Sequence, residues 1–184
     1  YDGKTFVKEA ANKGAIAVIT ESPLKSISSI MTKKNDIAAF YVEDSRKALS
    51  KISANYYGQP FKDLSLIGIT GTNGKTTLTY ILEALSKADG RYAGVIGTID
   101  CHFRKTVIPA TVTTPESLDL NRSIRQMVDA GVSDCFLEVS SHALSQKRVF
   151  EMDFDAGVFT NLSRDHLDFH NDMNEYKNAK AKLF

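Results

Sequence analysis

The chain has 184 residues, 42% hydrophobic and 24% charged, with a formal net charge of +1. That is enough apolar material for one or two packed domains, and so small a charge gives no basis for binding nucleic acid or an anionic membrane surface. No apolar run approaches the ~20 residues that cross a bilayer, no signal peptide is visible, and Cys101 and Cys135 share no metal-ligand spacing, so they read as free thiols of a reducing cytoplasm.

The start at Tyr1 and the stop at Phe184, inside an apparently helical run, lead to the expectation that the chain is part of a longer protein. In chain order, the runs AIAVIT (15–20) and IAAFYV (37–42) read as short buried strands. Asp44 is placed to cap a helix whose Leu49, Ile52 and Tyr56 share one face. Gly58 and Pro60 in YGQPFKDL break the pattern, which divides the chain into a first domain over 1–57, a linker over 58–63 and a second domain from 64 to 184. From Leu64 strands and helices alternate. LSLIGIT (64–70), RYAGVIGTI (91–99), DCFLEVS (134–140) and DAGVFTNL (155–162) are predicted strands. Leu78, Ile81, Leu82 and Leu85 form the stripe of one amphipathic helix. Leu120, Ile124, Met127 and Val128 form that of another, with Thr114 as its cap, Pro115 at its first position and Gly131 at its end. A last helix runs from about Asp172. This order predicts an α/β fold with a mostly parallel sheet covered by helices on both faces.

The stretch GITGTNGKTTLTYILEAL (68–85) lies where a strand feeds a helix. A standard phosphate loop, G-x-x-x-x-G-K-[ST], would place its first glycine at 69, where Ile69 stands. Glycines at 68, 71 and 74 nevertheless permit tight turns and close approach of the backbone. N–H groups at the helix start would then face a phosphate, with Lys75 on the outer phosphates and the Thr76 hydroxyl on magnesium. The alternative is a glycine-rich turn with a surface lysine. The expected ligand is a nucleoside triphosphate, most simply ATP.

Two further features follow from the residues. Glu138 closes a strand that reads as buried, at the carboxyl end where open α/β sheets bind ligands; a surface charge is the other reading. His166 and His170 are four apart, but Leu167 stands where a zinc hydrolase needs glutamate, so zinc is not expected. His170 and His102 read as structural or surface residues, and His142 either shapes a loop or is packed. On the last helix Lys180 falls near the middle of a stripe formed by Met173, Tyr176, Leu183 and Phe184, with Lys177 at its edge and Lys182 opposite. Such a lysine must snorkel, pair or lose its charge.

GTNGKTT, TTPESLDL (113–120), EVSSHALSQKRV (138–149), FTNLSRDHLDFH (159–170) and MNEYKNAKAKLF (173–184) together resemble the Mur ligase family, in its MurE-type branch, and DGKTFVKEAANKGAIAVI (2–19) resembles the end of that branch's first domain. The resemblance implies an incomplete central ATP-binding domain over 64–184 preceded by part of a UDP-substrate-binding domain, with a carboxy-terminal amino-acid-binding domain absent from the chain. It implies an ATP- and magnesium-dependent ligase of cell-wall precursor synthesis. That activity adds an amino acid, lysine or meso-diaminopimelate, to UDP-N-acetylmuramoyl-L-alanyl-D-glutamate through an acyl phosphate; the fragment alone would be inactive. A monomer in the cytoplasm is expected.

The roles it implies are residue by residue. Gly71, Thr72, Asn73, Gly74, Lys75, Thr76 and Thr77 would hold ATP. Thr113, Thr114, Ser140, Gln146 and Arg148 would hold the UDP-sugar-peptide. Thr76, Glu138 and His166 would ligate magnesium, with Lys75, Glu138 and His166 catalytic. Lys180 would be carbamylated by carbon dioxide, making it an anion that faces Glu138 and His166 and binds a second magnesium ion. Val112 departs from the asparagine that many members carry there. A folylpolyglutamate synthetase-like ligase, a P-loop switch or motor ATPase, and a non-catalytic nucleotide-binding module are the competing readings.

Overall fold

A computed structural model describes residues 3–23 and 37–184. Asp2, which opens one of the family-like stretches, and part of the expected 1–57 domain lie outside these residues. The chain divides into two compact units, Tyr1–Ala48 and Leu49–Phe184. The division falls inside a helix rather than at the linker expected over 58–63.

In the first unit, a short helix α1 (Val7–Asn12) precedes strands β1 (Ala17–Thr20) and β2 (Ala38–Tyr41), which pair in parallel from Ala17↔Ala38 to Thr20↔Tyr41. The strands occur where the apolar runs predicted them, but their burial does not: Ile16, Ile19, Phe40 and Tyr41 are exposed. Two strands alone cover neither of their own faces.

Helix α2 (Ser45–Tyr56) begins as the sequence suggests, with the Asp44 carboxylate accepting from Lys47 N at 2.9 Å. Its buried face differs from the expected one. Ser50, Ser53 and Ala54 are inside, whereas Leu49, Ile52 and Tyr56 face out. Small residues let this helix approach closely: Ala54 joins Phe61 and Leu64 in the main core, and Ser50 Oγ accepts from Glu151 N.

The second unit is built on one six-stranded sheet. Its strands are β3 (Ser65–Thr70), β4 (Ala93–Ile96), β5 (Asp100–Phe103), β6 (Thr106–Pro109), β7 (Asp134–Glu138) and β8 (Ala156–Phe159), in the order β6-β5-β4-β7-β3-β8. The four strands β4, β7, β3 and β8 are parallel, and β5 and β6 extend the sheet as an antiparallel hairpin. The helices are α3 (Lys75–Ala88), α4 (Ser117–Asp129), α5 (Ser141–Ser145) and α6 (Met173–Ala181). Strand side chains alternate between faces, and each face has its own core. Leu66, Ile96, Cys135 and Leu137 pack with Leu120, Ile124 and Met127 of α4. Ile69, Ala93, Val95 and Phe136 pack with Leu78 and Leu82 of α3. Burial drives both Cys101 and Cys135 thiols upward in pKa, Cys101 to about 11, so neither is a reactive thiolate at neutral pH.

Two helix expectations need correction. In α3 Ile81 and Leu85 are 51% and 60% exposed. The buried positions include Thr79, Glu83 and Ser86, each with a polar partner: Thr76 O, His102 and Lys87, and Asp134 respectively. Helix α4 starts at Ser117 with Glu116 as its cap residue, because the Thr114 hydroxyl is engaged elsewhere. Its end follows expectation, at Gly131 with φ +73°.

Asp172 caps α6 by accepting from Asn174 N and Glu175 N. The helix buries Tyr176, Ala179 and Lys180 and exposes Lys177 and Lys182. Beyond it, Leu183 and Phe184 lie over Gly68 of β3 and Gly157 of β8, which face each other in register. A β-carbon on Gly68 would come within 3.0 Å of Leu183 and closer to Phe154, and one on Gly157 within 2.9 Å of Phe184. Among the described residues no helix is long and apolar enough to cross a membrane.

Candidate active site at the carboxyl end of the sheet

The parallel strands end together, so the segments after Thr70, Ile96, Glu138 and Phe159 meet at one edge, the position where such sheets hold ligands. Gly71 and Gly74 of the first segment have φ values of +142° and +85°, a conformation that glycine adopts without strain. No side chain caps the 14-residue helix α3 that follows, and its first N–H groups therefore keep donor capacity for an anion. Lys75 Nζ donates to Gly71 O and Thr72 O, both at 2.9 Å. Thr76 is half-buried and Thr77 exposed on the first turn.

Thr72 and Asn73, expected to touch ATP, are held from outside the loop. Asn73 N donates to Asn161 Oδ1 at 3.0 Å, and Asn73 O accepts from Asn161 Nδ2 at 3.0 Å and Thr160 Oγ1 at 2.7 Å. Thr72 N donates to Asn161 O at 2.9 Å. Its hydroxyl accepts from Ser163 N at 3.0 Å and lies 3.1 Å from Tyr176 OH.

Lys180 is buried where the helical pattern placed it, although Phe184 of the expected stripe is 70% exposed. Lys180 is 2% exposed, its Nζ donates to Gly71 O at 2.8 Å, and the ammonium stands 4.5 Å above the Tyr176 ring. Burial, then the neighbouring Lys75 charge, lower its pKa to about 8 against the opposing pull of Asp165. Burial likewise lowers Lys75, opposed by Glu138 and Asp165. Two ammonium groups thus share one carbonyl oxygen.

Glu138 is fully buried, with Oε1 accepting from Thr98 N at 3.1 Å and Oε2 from Thr98 Oγ1 at 3.0 Å. A β-carbon on Gly97 would lie 2.2 Å from Oε1, so only glycine leaves room for this carboxylate. His166, at φ +51°, has Nε2 3.5 Å from Asp165 Oδ2, and its ring lies against His142 and Tyr176. Among the described residues no three histidine, cysteine or carboxylate side chains gather as a metal cluster. The unmodified Lys180 faces Gly71 O and Tyr176 rather than Glu138. As an ammonium it cannot ligate a cation, and a carbamate could. Magnesium is commonly held by one or two carboxylates with the remaining positions on phosphates and water. The oxygen donors Glu138 and Thr76 fit that demand.

The expected substrate residues form one network. Thr114 is buried; its Oγ1 donates to Glu138 O at 2.8 Å and accepts from Ser140 N at 3.0 Å. Ser140 Oγ caps α5 by accepting from Ala143 N. Arg148 donates from Nη1 to Thr114 O and from Nη2 to Gln146 Oε1, each at 2.7 Å, and pairs with Glu116 at 3.0 Å. Its buried Nε has no partner among the described residues. Thr113 Oγ1 lies 3.1 Å from Thr98 Oγ1.

The remaining histidines are packed. His170 is buried with Nε2 2.9 Å from Ser141 Oγ, and His142 stacks on Phe169 with ring centres 4.0 Å apart. Burial and neighbouring imidazoles lower both pKa values. His102 lies between Asp100 and Glu83. Sequence reasoning missed Thr98, Asn161, Ser163 and Tyr176. A threonine straight after the VIG strand and a run of small polar residues after FTN were the available signals.

The Mur ligase middle domain model matches residues 69–184. Over 183 residues, all of this chain, the sequence is 46% and 47% identical to proteins of Geobacillus thermodenitrificans and Caldanaerobacter subterraneus named UDP-N-acetylmuramoyl-L-alanyl-D-glutamate--2,6-diaminopimelate ligase. The chain spans 36% of the length of each. A solved structure of a ligase of that name superposes on 98% of this chain and 35% of its own, with a TM-score of 0.82 and 31% identity. A folylpolyglutamate synthase from Mycobacterium tuberculosis superposes on 74% of this chain and 38% of its own, with a TM-score of 0.60 at 18% identity, a likeness of fold alone.

Proposed function

The chain belongs to the Mur ligase family, and from that premise we propose that it is the nucleotide-binding part of a ligase adding the third amino acid to UDP-N-acetylmuramoyl-L-alanyl-D-glutamate. The observation that carries this reading is the pair Lys75, half-buried, and Lys180, buried, both donating to the Gly71 carbonyl where the parallel strands end, with the Glu138 charge within reach of Lys75. The relatives' names point to 2,6-diaminopimelate as the amino acid. The partners are small molecules, the enzyme works as a monomer, and the nucleotide substrates and free thiols suit the cytoplasm.

Residues 71–77 hold the phosphates through the α3 N–H groups and Lys75. Glu138, the Thr76 hydroxyl and His166 would hold magnesium, which would neutralise phosphate charge. ATP supplies the phosphoryl group that converts the D-glutamate side-chain carboxylate into an acyl phosphate, which the incoming amine attacks with release of phosphate. No protein nucleophile is required, so these residues contribute by positioning and by charge. Thr98 fixes both oxygens of Glu138 and, through Thr113, ties that carboxylate to the sugar-peptide side. The Arg148 guanidinium and the Ser140 and Gln146 side chains shape that side for an anionic substrate. Lys180, eased towards its neutral form by burial, attacks carbon dioxide at Nζ and releases a proton, leaving an N-carboxylate that removes a cation from the loop and adds a magnesium ligand.

The test is phosphate release from ATP by the full-length protein. Release that requires UDP-N-acetylmuramoyl-L-alanyl-D-glutamate and 2,6-diaminopimelate is expected. Release driven by lysine instead would change the amino acid, and release driven by a folate with glutamate would overturn the assignment.

A further inference from the structure

The letters of GTNGKTT invite the view that every residue touches phosphate, yet Thr72 and Asn73 are turned to other work. They sit between Gly71 and Gly74, whose backbones impose little shape of their own. The contacts that fix them come from a different part of the chain. Asn161 meets the backbone of Asn73 with both ends of its carboxamide, accepting from the N–H and donating to the carbonyl. Thr160 Oγ1 donates to the same carbonyl, which ties down the negative end of a peptide dipole that could otherwise turn towards an incoming phosphate. Thr160 Oγ1 also fills the space above Gly71, 1.9 Å from where a β-carbon would stand. Tyr176 OH reaches the Thr72 hydroxyl, and its ring lies under the Lys180 ammonium one turn along α6.

We propose that Asn161 and Tyr176 are positioning residues for the nucleotide: they grip Asn73 and Thr72 from outside and so lock the phosphate loop to the loop of His166 and the helix of Lys180. The proposal rests on the reading of residues 71–77 as the nucleotide site. Its consequence is that the loop's shape, and with it the aim of the α3 N–H groups, is set by residues that need not touch phosphate. Asn161 is suited because one side chain must both donate and accept at a single peptide; alanine can do neither.

Magnesium-ADP binding to the full-length protein, followed by calorimetry, tests this. Asn161→Ala is expected to weaken binding roughly tenfold or more, as the loss of two hydrogen bonds implies. Tyr176→Phe removes only the hydroxyl and is expected to weaken it about threefold to tenfold, raising KM for ATP while kcat at saturating ATP changes less than twofold. A purely structural role would lower the unfolding temperature and leave nucleotide affinity alone. Unchanged affinity in a folded Tyr176→Phe protein overturns the proposal, even if Asn161→Ala fails to fold. Failure of the underlying nucleotide reading looks different: the unaltered protein would not bind magnesium-ADP, or Lys75→Ala would bind it equally well.

Discussion

Around Thr114 the polar groups answer one another. The threonine hydroxyl bridges Glu138 O and Ser140 N, Ser140 caps a helix, and Arg148 closes on Thr114 O, Gln146 and Glu116. Around Gly71, just past the end of β3, two ammonium groups converge on one carbonyl and each is pushed towards neutrality by burial. Among the described residues the first region pairs its polar groups with one another, Arg148 Nε excepted. The second sets two ammonium groups side by side, opposed by the Glu138 and Asp165 charges, and an anion or modification of a lysine would relieve their mutual repulsion. On the proposed reading, the second region receives a phosphate and the first frames the sugar-peptide.

The contrast can be broken most forcefully at the lysines. Lys75→Ala and Lys180→Ala are each expected to lower ligation by the full-length enzyme about 10³-fold, the scale on which loss of a transition-state charge contact acts. Short carboxylic acids should restore Lys180→Ala and leave Lys75→Ala inactive; full activity in Lys180→Ala would remove the carbamate from the reading. Gly71→Ala forces a β-carbon against Thr160 and is expected to weaken nucleotide binding about a hundredfold, the effect of an ångström-scale misplacement. On the other side, Arg148→Ala should lower stability by about 1–3 kcal/mol, through the partners it leaves unpaired, and raise KM for the sugar-peptide. It should leave ADP affinity unchanged, and a parallel loss of ADP binding would show that the two regions are not separate. Thr98→Val, which keeps the volume but removes the hydroxyl from Glu138, should raise the magnesium concentration needed for half-maximal rate severalfold.

The last effect is on stability against pH. Burial holds the pKa of Lys180 at about 8 in the folded chain, below the ordinary lysine value of 10.5. Between those values the unfolded chain carries the extra proton, so stability contributed by this residue rises with pH across the window and is reduced below it. Replacing it, Lys180→Met, should flatten that rise in chemical unfolding measured with bicarbonate excluded.

Much of this was legible in the letters. The loop lies between a strand and a helix as its apolar flanks require, and the helical angle alone put Lys180 among apolar neighbours. The hairpin β5–β6 was not legible. Its turn uses Arg104 at φ +53° where glycine or asparagine would have announced it, and its strand DCHF carries polar Asp100 and His102 that satisfy each other. The buried faces of α2 and α3 misled for a related reason. Ser50 and Ser86 were drawn inside with partners distant in sequence, Glu151 N and Asp134, which a hydrophobicity pattern cannot see, while leucine and isoleucine stayed out; Ser53 Oγ is buried with no partner among the described residues. Thr114 has the right type and place for a cap, but Glu138 O and Ser140 compete for its hydroxyl across the sheet end.

Gly68 and Gly157, side by side on β3 and β8, carry no side chain, yet they bear on where Lys180 sits. Their missing side chains make a shallow trough in which Leu183 and Phe184 bed, and this sets how low the end of α6 rides on the sheet. Lys180 is three residues back from Leu183, and Gly71 is three residues on from Gly68. A single methyl at either glycine would meet one of those two side chains at 3.0 Å or less, so the seat of the helix that carries Lys180 depends on two bare α-carbons.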